Sequence, residues 1–283
     1  MTYFMSILMG IIQGVAEFLP ISSSGHLALF QTFFGMENME EKYMFFTVLL
    51  HFGTLISVCM VYWRDIVDMI REFFLGIAAL AGRKDTGVAP PPARRMVMLI
   101  IIATVPLFVM VFLQDAVNQL FSNSIMVSCA LLATGFILFF SDRIARGHKT
   151  ARNATVADAL IVGCGQALAV IPGLSRSGTT ISVGMMRGFD RAFAVRFSFL
   201  MSLPAVLGAN VLEIKDALAS NFPIEELPMY LVGVAVSAVV GYFAIRLVKS
   251  LSDKGKFGKF AYYCWAVGLG SLVAGIVKMM LLK

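Results

Sequence analysis

The stretch Pro172-Gly173-Leu174-Ser175-Arg176-Ser177-Gly178 interrupts an apolar segment that extends from about residue 157 to residue 186. Proline removes a backbone donor, glycine weakens a helix and arginine is a permanent cation, so these residues disfavour one straight helix through lipid. We therefore expect two helices joined by an irregular loop. Irregular backbone at membrane depth is tolerated only where it is buried in protein or lines a water-filled cavity, which makes this loop a candidate site.

The composition of the chain is that of a membrane protein. Its 283 residues are 59% hydrophobic and only 14% charged, with a mean hydropathy of +0.83. Soluble domains carry about 25% charged residues. No polar stretch is long enough to build a soluble domain, so we expect one membrane domain over residues 1–283. The net charge of +6 lies in short loops, and for this reason we do not expect a nucleic-acid partner.

Six apolar stretches are long enough to cross a bilayer core, which takes roughly 20 residues. They are residues 43–63, 96–114, 125–141, 193–213, 228–248 and 260–281. The sequence therefore predicts an all-α polytopic membrane protein with six transmembrane helices.

The loops between these stretches differ in charge. Lysine and arginine are concentrated in loops 64–95, 142–156 and 249–259, whereas loops 31–42, 114–124 and 214–227 have no such excess. The positive-inside rule places the first three in the cytoplasm and the other three outside, with both termini outside. Loop 142–156 and the start of the next span then lie on the same side. Segment 157–186 must consequently enter and leave on that side, as a re-entrant helix pair.

The N-terminal region repeats this pattern. With one fixed offset, Gly10-Ile11-Ile12-Gln13 aligns with Gly163-Cys164-Gly165-Gln166, and Ser22-Ser23-Ser24-Gly25 aligns with Ser175-Arg176-Ser177-Gly178. We expect a second re-entrant pair at about 4–35, and an inverted-topology repeat with copies at about 1–141 and 155–283. Opposed broken helices in such repeats meet near the bilayer midplane, where the binding sites of these folds lie.

The first loop brings an acid and an imidazole together with hydroxyls. Glu17 lies in an apolar run, where a carboxylate costs roughly 2.5–3.5 kcal/mol unless it is paired or solvated. Gln13 lies one helical turn earlier. The segment Ser22-Ser23-Ser24-Gly25-His26 can surround an anion with hydroxyls and backbone N–H groups. The alternatives are a neutral carboxyl that bonds neighbouring helices and an ordinary polar surface loop.

The second loop carries the sharper signal. Arg176 is a cation whose planar fork matches phosphate oxygens, and it is surrounded by hydroxyls from Ser175, Ser177 and Thr180. The alternatives for Arg176 are a salt bridge to Glu17 or a side chain that reaches the headgroups. Taken together, the two loops suit binding and hydrolysis of a phosphate ester or anhydride at membrane depth. The sequence contains no Walker lysine motif, no GxGxxG and no HExxH.

These motifs resemble a known family. The segments Gln13-x-x-x-Glu17-Phe18-Leu19-Pro20-Ile21-Ser22-Ser23-Ser24-Gly25-His26 and Pro172-Gly173-Leu174-Ser175-Arg176-Ser177-Gly178-Thr179-Thr180 are similar to those of the bacitracin-resistance undecaprenyl-diphosphate phosphatases. The resemblance implies a bacterial inner-membrane hydrolase that converts undecaprenyl diphosphate to the monophosphate. That reaction recycles the lipid carrier for peptidoglycan synthesis.

The resemblance also implies roles and partners. Active-site positions would be Glu17, Ser22, Ser23, His26, Ser175, Arg176 and Thr180, and the enzyme would be a dimer activated by Mg²⁺ or Ca²⁺. The family has Glu or Gln at the first motif position, and here it is Gln13, so Glu17 must carry the acid function and could serve as base or metal ligand. The attacking group stays open between Ser23 activated by His26, His26 itself and water.

Two other classes of function are compatible with parts of the pattern. Inverted repeats with broken helices are typical of transporters, and a flippase for a phosphorylated lipid would move its substrate without releasing phosphate. A phosphatase of the phosphatidic-acid type shares the Ser-Gly-His and Ser-Arg elements. That family needs a second histidine beyond the Ser-Arg pair, and this chain has Ser182 at that position.

Overall fold

The computed structural model describes residues 1–34, 44–80, 90–113, 117, 119–120, 123–219 and 224–281. Within these ranges the chain is helical and contains no β-strand, apart from an isolated bridge between Lys149 and Phe189. The helices are α1 (Tyr3–Ala16), α2 (Ser23–Phe34), α3 (Met44–Val61), α4 (Trp63–Leu80), α5 (Pro92–Thr104), α6 (Leu107–Phe112), α7 (Ser124–Ile144), α8 (Val156–Leu168), α9 (Arg176–Met186), α10 (Arg191–Ala219), α11 (Leu227–Asp253) and α12 (Phe260–Leu281). Short 3₁₀ turns precede α11 and α12.

Five of the predicted spans are helices long and apolar enough to cross a membrane. They are Pro92–Phe112, Ser124–Ile144, Arg191–Val211, Ile224–Asp253 and Phe257–Leu281. The first consists of α5 and α6, which are separated at Val105 and Pro106. The polytopic, all-helical class is therefore confirmed. The predicted outer loops 31–42, 114–124 and 214–227 lie partly outside the described residues.

The sixth predicted span differs from expectation. Helix α3 covers residues 44–61 of the apolar stretch 43–63, but it is long enough for a span only together with α4, and the two helices are bent by 88°. We predicted a loop over 64–95, and that prediction is wrong for residues 64–80, which belong to α4. The apolar side chains of Trp63, Val67, Ile70, Phe74 and Ile77 recur at helical spacing and are exposed. The charges between them suggested a loop, although this spacing is that of an amphipathic helix.

The two segments predicted to be re-entrant start in the same way. Thr2 caps α1 by accepting a hydrogen bond from the Met5 N–H, and Thr155 caps α8 by accepting one from Asp158. These threonines occupy equivalent places under the sequence offset, as do the first residues of α2 and α9. A side-chain oxygen at the N-cap satisfies one of the free N–H groups of the first helical turn. Because the two capping threonines are equivalent, α1 and α8 begin at equivalent positions.

The aligned glycines Gly10 and Gly163 are contact points between helices. A Cβ atom on Gly10 would lie 2.5 Å from the Gly233 carbonyl oxygen in α11, and one on Gly163 would lie 2.2 Å from the Ala103 oxygen in α5. Any larger residue would push the helices apart. Small residues allow this close backbone approach, which drives helix association where water supplies no hydrophobic force. The repeated glycines thus dock α1 on α11 and α8 on α5.

Asp158 fixes the base of the second helix pair. Its fully buried carboxylate accepts hydrogen bonds from the Thr155 N–H at 3.0 Å and from Lys149 Nζ at 2.8 Å. Its other oxygen lies 2.9 Å from an Arg187 nitrogen just after α9. The start of α8, the end of α9 and the preceding loop therefore share one anion. The spacing of α8 and α9, and through it the position of their connecting loop, depends on this group.

We predict that Asp158→Ala destabilises the protein, because it leaves two cations and a helix N-cap without their shared acceptor. Removing one partner of a buried ion pair costs about 3 kcal/mol or more, which corresponds to a fall in the unfolding temperature of about 5–10 °C. Thermal unfolding of the detergent-purified protein measures the change. Asp253→Ala, at an exposed carboxylate, is the matched control and should leave the unfolding temperature almost unchanged. Equal unfolding temperatures of the two variants would contradict this stabilising role of Asp158.

Candidate active site

The loops that follow α1 and α8 are in direct contact. A Cβ on Gly25 would lie 2.8 Å from Gly173 Cα, and one on Gly178 would lie 3.1 Å from Pro20 Cβ. The Ser177 hydroxyl donates a hydrogen bond to the Leu19 carbonyl at 3.3 Å. Each loop therefore packs against the first turn of the helix that follows the other loop. The predicted meeting of the two motifs is confirmed.

Ser22 and Ser175 are the N-caps of α2 and α9. The Ser22 hydroxyl oxygen accepts from the Gly25 N–H at 3.2 Å, and the Ser175 oxygen accepts from the Gly178 N–H at 3.1 Å. Both side chains are buried. Ser22 has φ = 67° and is the one non-glycine residue with positive φ in the described part of the chain. Such backbone is strained, and it is found at functional sites more often than elsewhere.

The two helix starts supply further donors. The first N–H groups of a helix have no intrahelical partner, and the caps satisfy only one of them in each helix. The remaining amides of the first turns begin at Ser23 in α2 and at Arg176 in α9. Such amides, together with the positive end of the helix dipole, favour an anion. The site thus offers two sets of backbone donors from opposite halves of the chain.

An ion pair joins the halves. Arg176 donates from a terminal guanidinium nitrogen to Glu17 Oε1, while Gln13 Nε2 donates to Glu17 Oε2 at 3.2 Å. The side chain of Glu17 is 7% exposed and that of Arg176 is 21% exposed. The salt bridge considered as an alternative for Arg176 is therefore present. It engages one nitrogen of a guanidinium group that carries five N–H donors, so it leaves donors for an anion.

His26 is oriented through both ring nitrogens. Nδ1 lies 2.8 Å from the Ser22 carbonyl oxygen, and Nε2 lies 2.9 Å from the Tyr263 hydroxyl in α12. The two rings stack at a centroid distance of 5.6 Å. A carbonyl oxygen only accepts, so Nδ1 carries the proton and the neutral ring accepts at Nε2 from Tyr263. The sequence analysis missed Tyr263, because an aromatic residue in an apolar helix carries no signal of a contact 237 residues away.

The other predicted hydroxyls have different surroundings. Ser23 is half-buried and has no hydrogen-bond partner among the described residues, and Ser24 Oγ lies 3.4 Å from Ser22 Oγ. Thr180 is buried, donates to the Arg176 carbonyl at 2.8 Å and lies 2.6 Å from Ser198 Oγ. Ser23 is therefore at the open side of the site, whereas Thr180 lies beneath it.

Thr134 in α7 is a second residue that the sequence analysis missed. Its hydroxyl donates to the Gly173 carbonyl at 2.9 Å and accepts from the Ser175 N–H at 3.2 Å. These two hydrogen bonds fix the backbone of the loop that positions Arg176. A threonine in a transmembrane helix has no distinctive spacing, so only the packing of α7 on α9 reveals it.

Glu17 is the carboxylate that could ligate a divalent ion at this site. No group of three or more His, Cys, Asp or Glu side chains that could hold a metal occurs among the residues described. Mg²⁺ commonly binds through one or two carboxylates together with substrate phosphate oxygens and water. The residues present fit an ion that arrives with a phosphorylated substrate, and they do not fit an ion held by protein groups alone.

Comparison with known proteins identifies the family of this chain. The family model for bacitracin resistance protein BacA matches residues 6–270. The chain belongs to the BacA family. Its similarity to BacA-family relatives extends over nearly its full length. An undecaprenyl-diphosphatase from Alkaliphilus metalliredigens is 42% identical over 269 residues, which cover 95% of this chain and 97% of the relative.

Two further relatives are also undecaprenyl-diphosphatases. The undecaprenyl-diphosphatase from Halothermothrix orenii is 40% identical, with 98% of this chain and 100% of the relative covered. The protein from Methanosphaera stadtmanae is 37% identical, with 96% and 98% covered. The resemblance inferred from the two motifs is confirmed at the level of the family.

We predict that His26 is the Nδ1–H tautomer when neutral, because the Ser22 carbonyl can only accept. The chain has three histidines, so His51→Gln combined with His148→Gln leaves His26 as the sole reporter. ¹⁵N NMR of labelled imidazole in detergent distinguishes the protonated from the unprotonated nitrogen. Tyr263→Phe should shift the Nε2 resonance and leave Nδ1 protonated. Detection of the Nε2–H tautomer in the otherwise unchanged protein would show that the hydrogen-bond assignment is wrong.

Proposed function

We propose that this chain hydrolyses undecaprenyl diphosphate to undecaprenyl phosphate and inorganic phosphate, and so recycles the lipid carrier for cell-wall synthesis. The observation that carries the proposal is the buried Arg176–Glu17 pair between two helix N-termini in a membrane protein. This arrangement concentrates anion donors where water is scarce. The similarity to three undecaprenyl-diphosphatases supports the choice of substrate.

The proposed membrane arrangement consists of six transmembrane helices and two re-entrant pairs in an inverted repeat. The copies are residues 1–141 and 155–283, with re-entrant segments at 4–35 and 157–186; residues 35–43 lie outside the described part. The equivalent caps and glycine contacts of α1 and α8 support this symmetry. The 88° bend supports an α4 that lies along the membrane surface with its apolar stripe in lipid. We place the protein in the inner (plasma) membrane, as a dimer with both termini outside.

The substrate diphosphate would lie between the two loops, with the prenyl chain in lipid. The free N–H groups of Arg176 and the first-turn amides of α2 and α9 would bind its oxygens. Ser22 and Ser175 keep those helix starts in place through their caps. Gln13 and Glu17 hold the guanidinium group in position. Phosphoryl transfer depends mainly on such positioning and electrostatic stabilisation.

A divalent cation is part of this proposal. Mg²⁺ or Ca²⁺, with Glu17 as its protein ligand, would neutralise diphosphate charge during the reaction. All further steps are assigned to side chains and water.

The terminal phosphorus would be attacked by Ser23, by His26 or by water. In the serine route, His26 Nε2 exchanges its bond to Tyr263 for the Ser23 hydroxyl and accepts the proton. The bond from the terminal phosphorus to the bridging oxygen breaks, and that oxygen leaves with undecaprenyl phosphate. Water then hydrolyses the phosphoserine and releases phosphate. The half-buried hydroxyl of Ser23, which has no hydrogen-bond partner among the described residues, supports this route.

We predict that the purified protein releases phosphate from undecaprenyl diphosphate and that Arg176→Lys loses most of this activity. Lysine keeps the charge but cannot reproduce the planar fork toward Glu17 and the substrate. We expect kcat/KM to fall about a hundredfold or more. Phosphate release in detergent, with Mg²⁺ or Ca²⁺ present, is the measurement, and Arg246→Lys, at a partly exposed arginine on α11, is the control. A folded wild-type protein that moves the lipid but releases no phosphate would instead be a flippase.

We predict a transient phosphoserine at Ser23. Rapid quenching of the reaction with substrate labelled in the terminal phosphate should give acid-stable labelled protein, and Ser23→Ala should remove the label and the activity. Ser24→Ala is the matched control and should retain the label. Label on His26 would exclude the serine route. If no residue is labelled and Ser23→Ala remains active, then water is the attacking group.

We predict that loop 142–156 faces the cytoplasm. In a variant whose four cysteines are replaced by alanine, His148→Cys should react with an impermeant thiol reagent only after cells are permeabilised. Glu225→Cys, on the opposite predicted side, should react in intact cells. Both positions are exposed, so accessibility within the protein does not limit labelling. Labelling of His148→Cys in intact cells would reverse the proposed topology.

A further inference from the structure

A cavity of about 470 Å³ lies at a second place in the protein. Its walls come from the α3–α4 junction, the loop before α8, the start of α10 and the end of α11. None of the residues of the Glu17–Arg176 site lines it. The basic segments that we place in the cytoplasm contribute to it, so it lies on the proposed inner side.

Two buried aromatic rings lie between this cavity and the candidate active site. Phe18, next to Glu17, packs edge-on against Phe199 with a centroid distance of 5.5 Å. Phe199 in turn lies 6.4 Å from the ring of Tyr62, which lines the cavity. Phe18 and Phe199 are 1% and 2% exposed. The cavity is therefore a separate site and not an extension of the first.

Positive charge is in excess in the cavity lining, which carries three cations and two carboxylates. Its two carboxylates are engaged, because Asp65 pairs with Arg196 and Asp190 accepts from the Phe193 N–H at 2.7 Å. Two further cations, Arg152 and Lys249, line the cavity. Neither forms an ion pair with the residues that the structure describes. An anionic ligand would satisfy them.

Tyr62 supplies an independent indication of a ligand. Its side chain is 5% exposed, and its hydroxyl is buried without a hydrogen-bond partner among the described residues. Buried polar groups are almost always hydrogen-bonded, so a buried hydroxyl that lacks a partner among the described residues, on a residue that lines a cavity, supports an acceptor supplied by a ligand. An anion held by Arg152 and Lys249 supplies such an acceptor.

We propose that this cavity binds a phosphate monoester, with its oxygens near Tyr62, Arg152 and Lys249 and its organic part against Phe193. A phosphoryl group offers several acceptors to a set of donors, and arginine and lysine are its usual partners. A cavity of this size accommodates an organic ester and exceeds what an inorganic ion needs. The ester can be a soluble phosphate or the headgroup of an acidic phospholipid, since both have the same chemistry.

The soluble source is tested with phenyl phosphate by calorimetric titration in detergent. Arg176→Gln combined with Glu17→Gln serves as the parent, because it removes the main phosphate ligand of the first site without leaving an unpaired charge. We expect the parent to bind one equivalent. Tyr62→Phe, which removes only the hydroxyl, should weaken binding several-fold, and Arg152→Gln combined with Lys249→Gln should weaken it about tenfold or more. Lys256→Gln, at an exposed lysine outside the cavity, is the matched control and should bind like the parent.

The lipid source is tested in nanodiscs of phosphatidylcholine alone and of an equal mixture with phosphatidic acid. If the ligand is a headgroup, phosphatidic acid raises the unfolding temperature of the parent and of Lys256→Gln, but not that of the cavity variants. If the cavity variants alone lose phenyl phosphate binding or the stabilisation by phosphatidic acid, that loss supports the proposal and identifies the source of the ligand. If the cavity variants match Lys256→Gln with both probes, the proposal is wrong, whatever the outcome for phosphate release at the first site.

Discussion

The ion pair between Glu17 and Arg176 is the interaction on which the rest of this structure depends. It joins residues 159 positions apart, in a chain with very few charges inside its apolar helices. Neither group is stable alone at membrane depth, because an unpaired charge there is costly. The two halves therefore have to dock before either charge is compensated. Docking brings the N-termini of α2 and α9 together. The ion pair that stabilises the protein therefore also assembles the site.

A nearly symmetric scaffold holds chemically different residues. Threonine caps, glycine contacts and serine caps recur at equivalent positions in the two helix pairs. The residues at the candidate site itself differ between the two halves. The second helix of each pair begins with Ser23 in α2 and with Arg176 in α9. His26 similarly corresponds to Thr179, which is buried and whose hydroxyl has no hydrogen-bond partner among the described residues. In the proposed mechanism, one half thus contributes the groups that accept protons, and the other half contributes the cation that binds phosphate.

The sequence predicted those parts of the fold that leave local signals. Apolar length identified five spans, and the repeated Ser-x-x-Gly segments identified the two loops, because caps and close contacts require particular residue types. Helix α4 was not predicted, because its charged residues suggested a loop although its apolar residues recur at helical spacing. Tyr263, Thr134 and Ser198 were missed because their contacts depend on how distant helices pack. For Arg176, the anion clamp and the salt bridge to Glu17 were treated as alternatives, and the geometry allows one guanidinium group to do both.

The most direct test of the account is a double-mutant cycle on Glu17→Gln and Arg176→Gln, followed by phosphate release and by thermal unfolding. If the pair assembles the site, the two changes are strongly coupled. The double variant should then be about as inactive as the worse single variant, and more stable than the sum of the single effects predicts. If the losses of activity multiply and the losses of stability add, then the two residues act independently and the ion pair does not hold the site together.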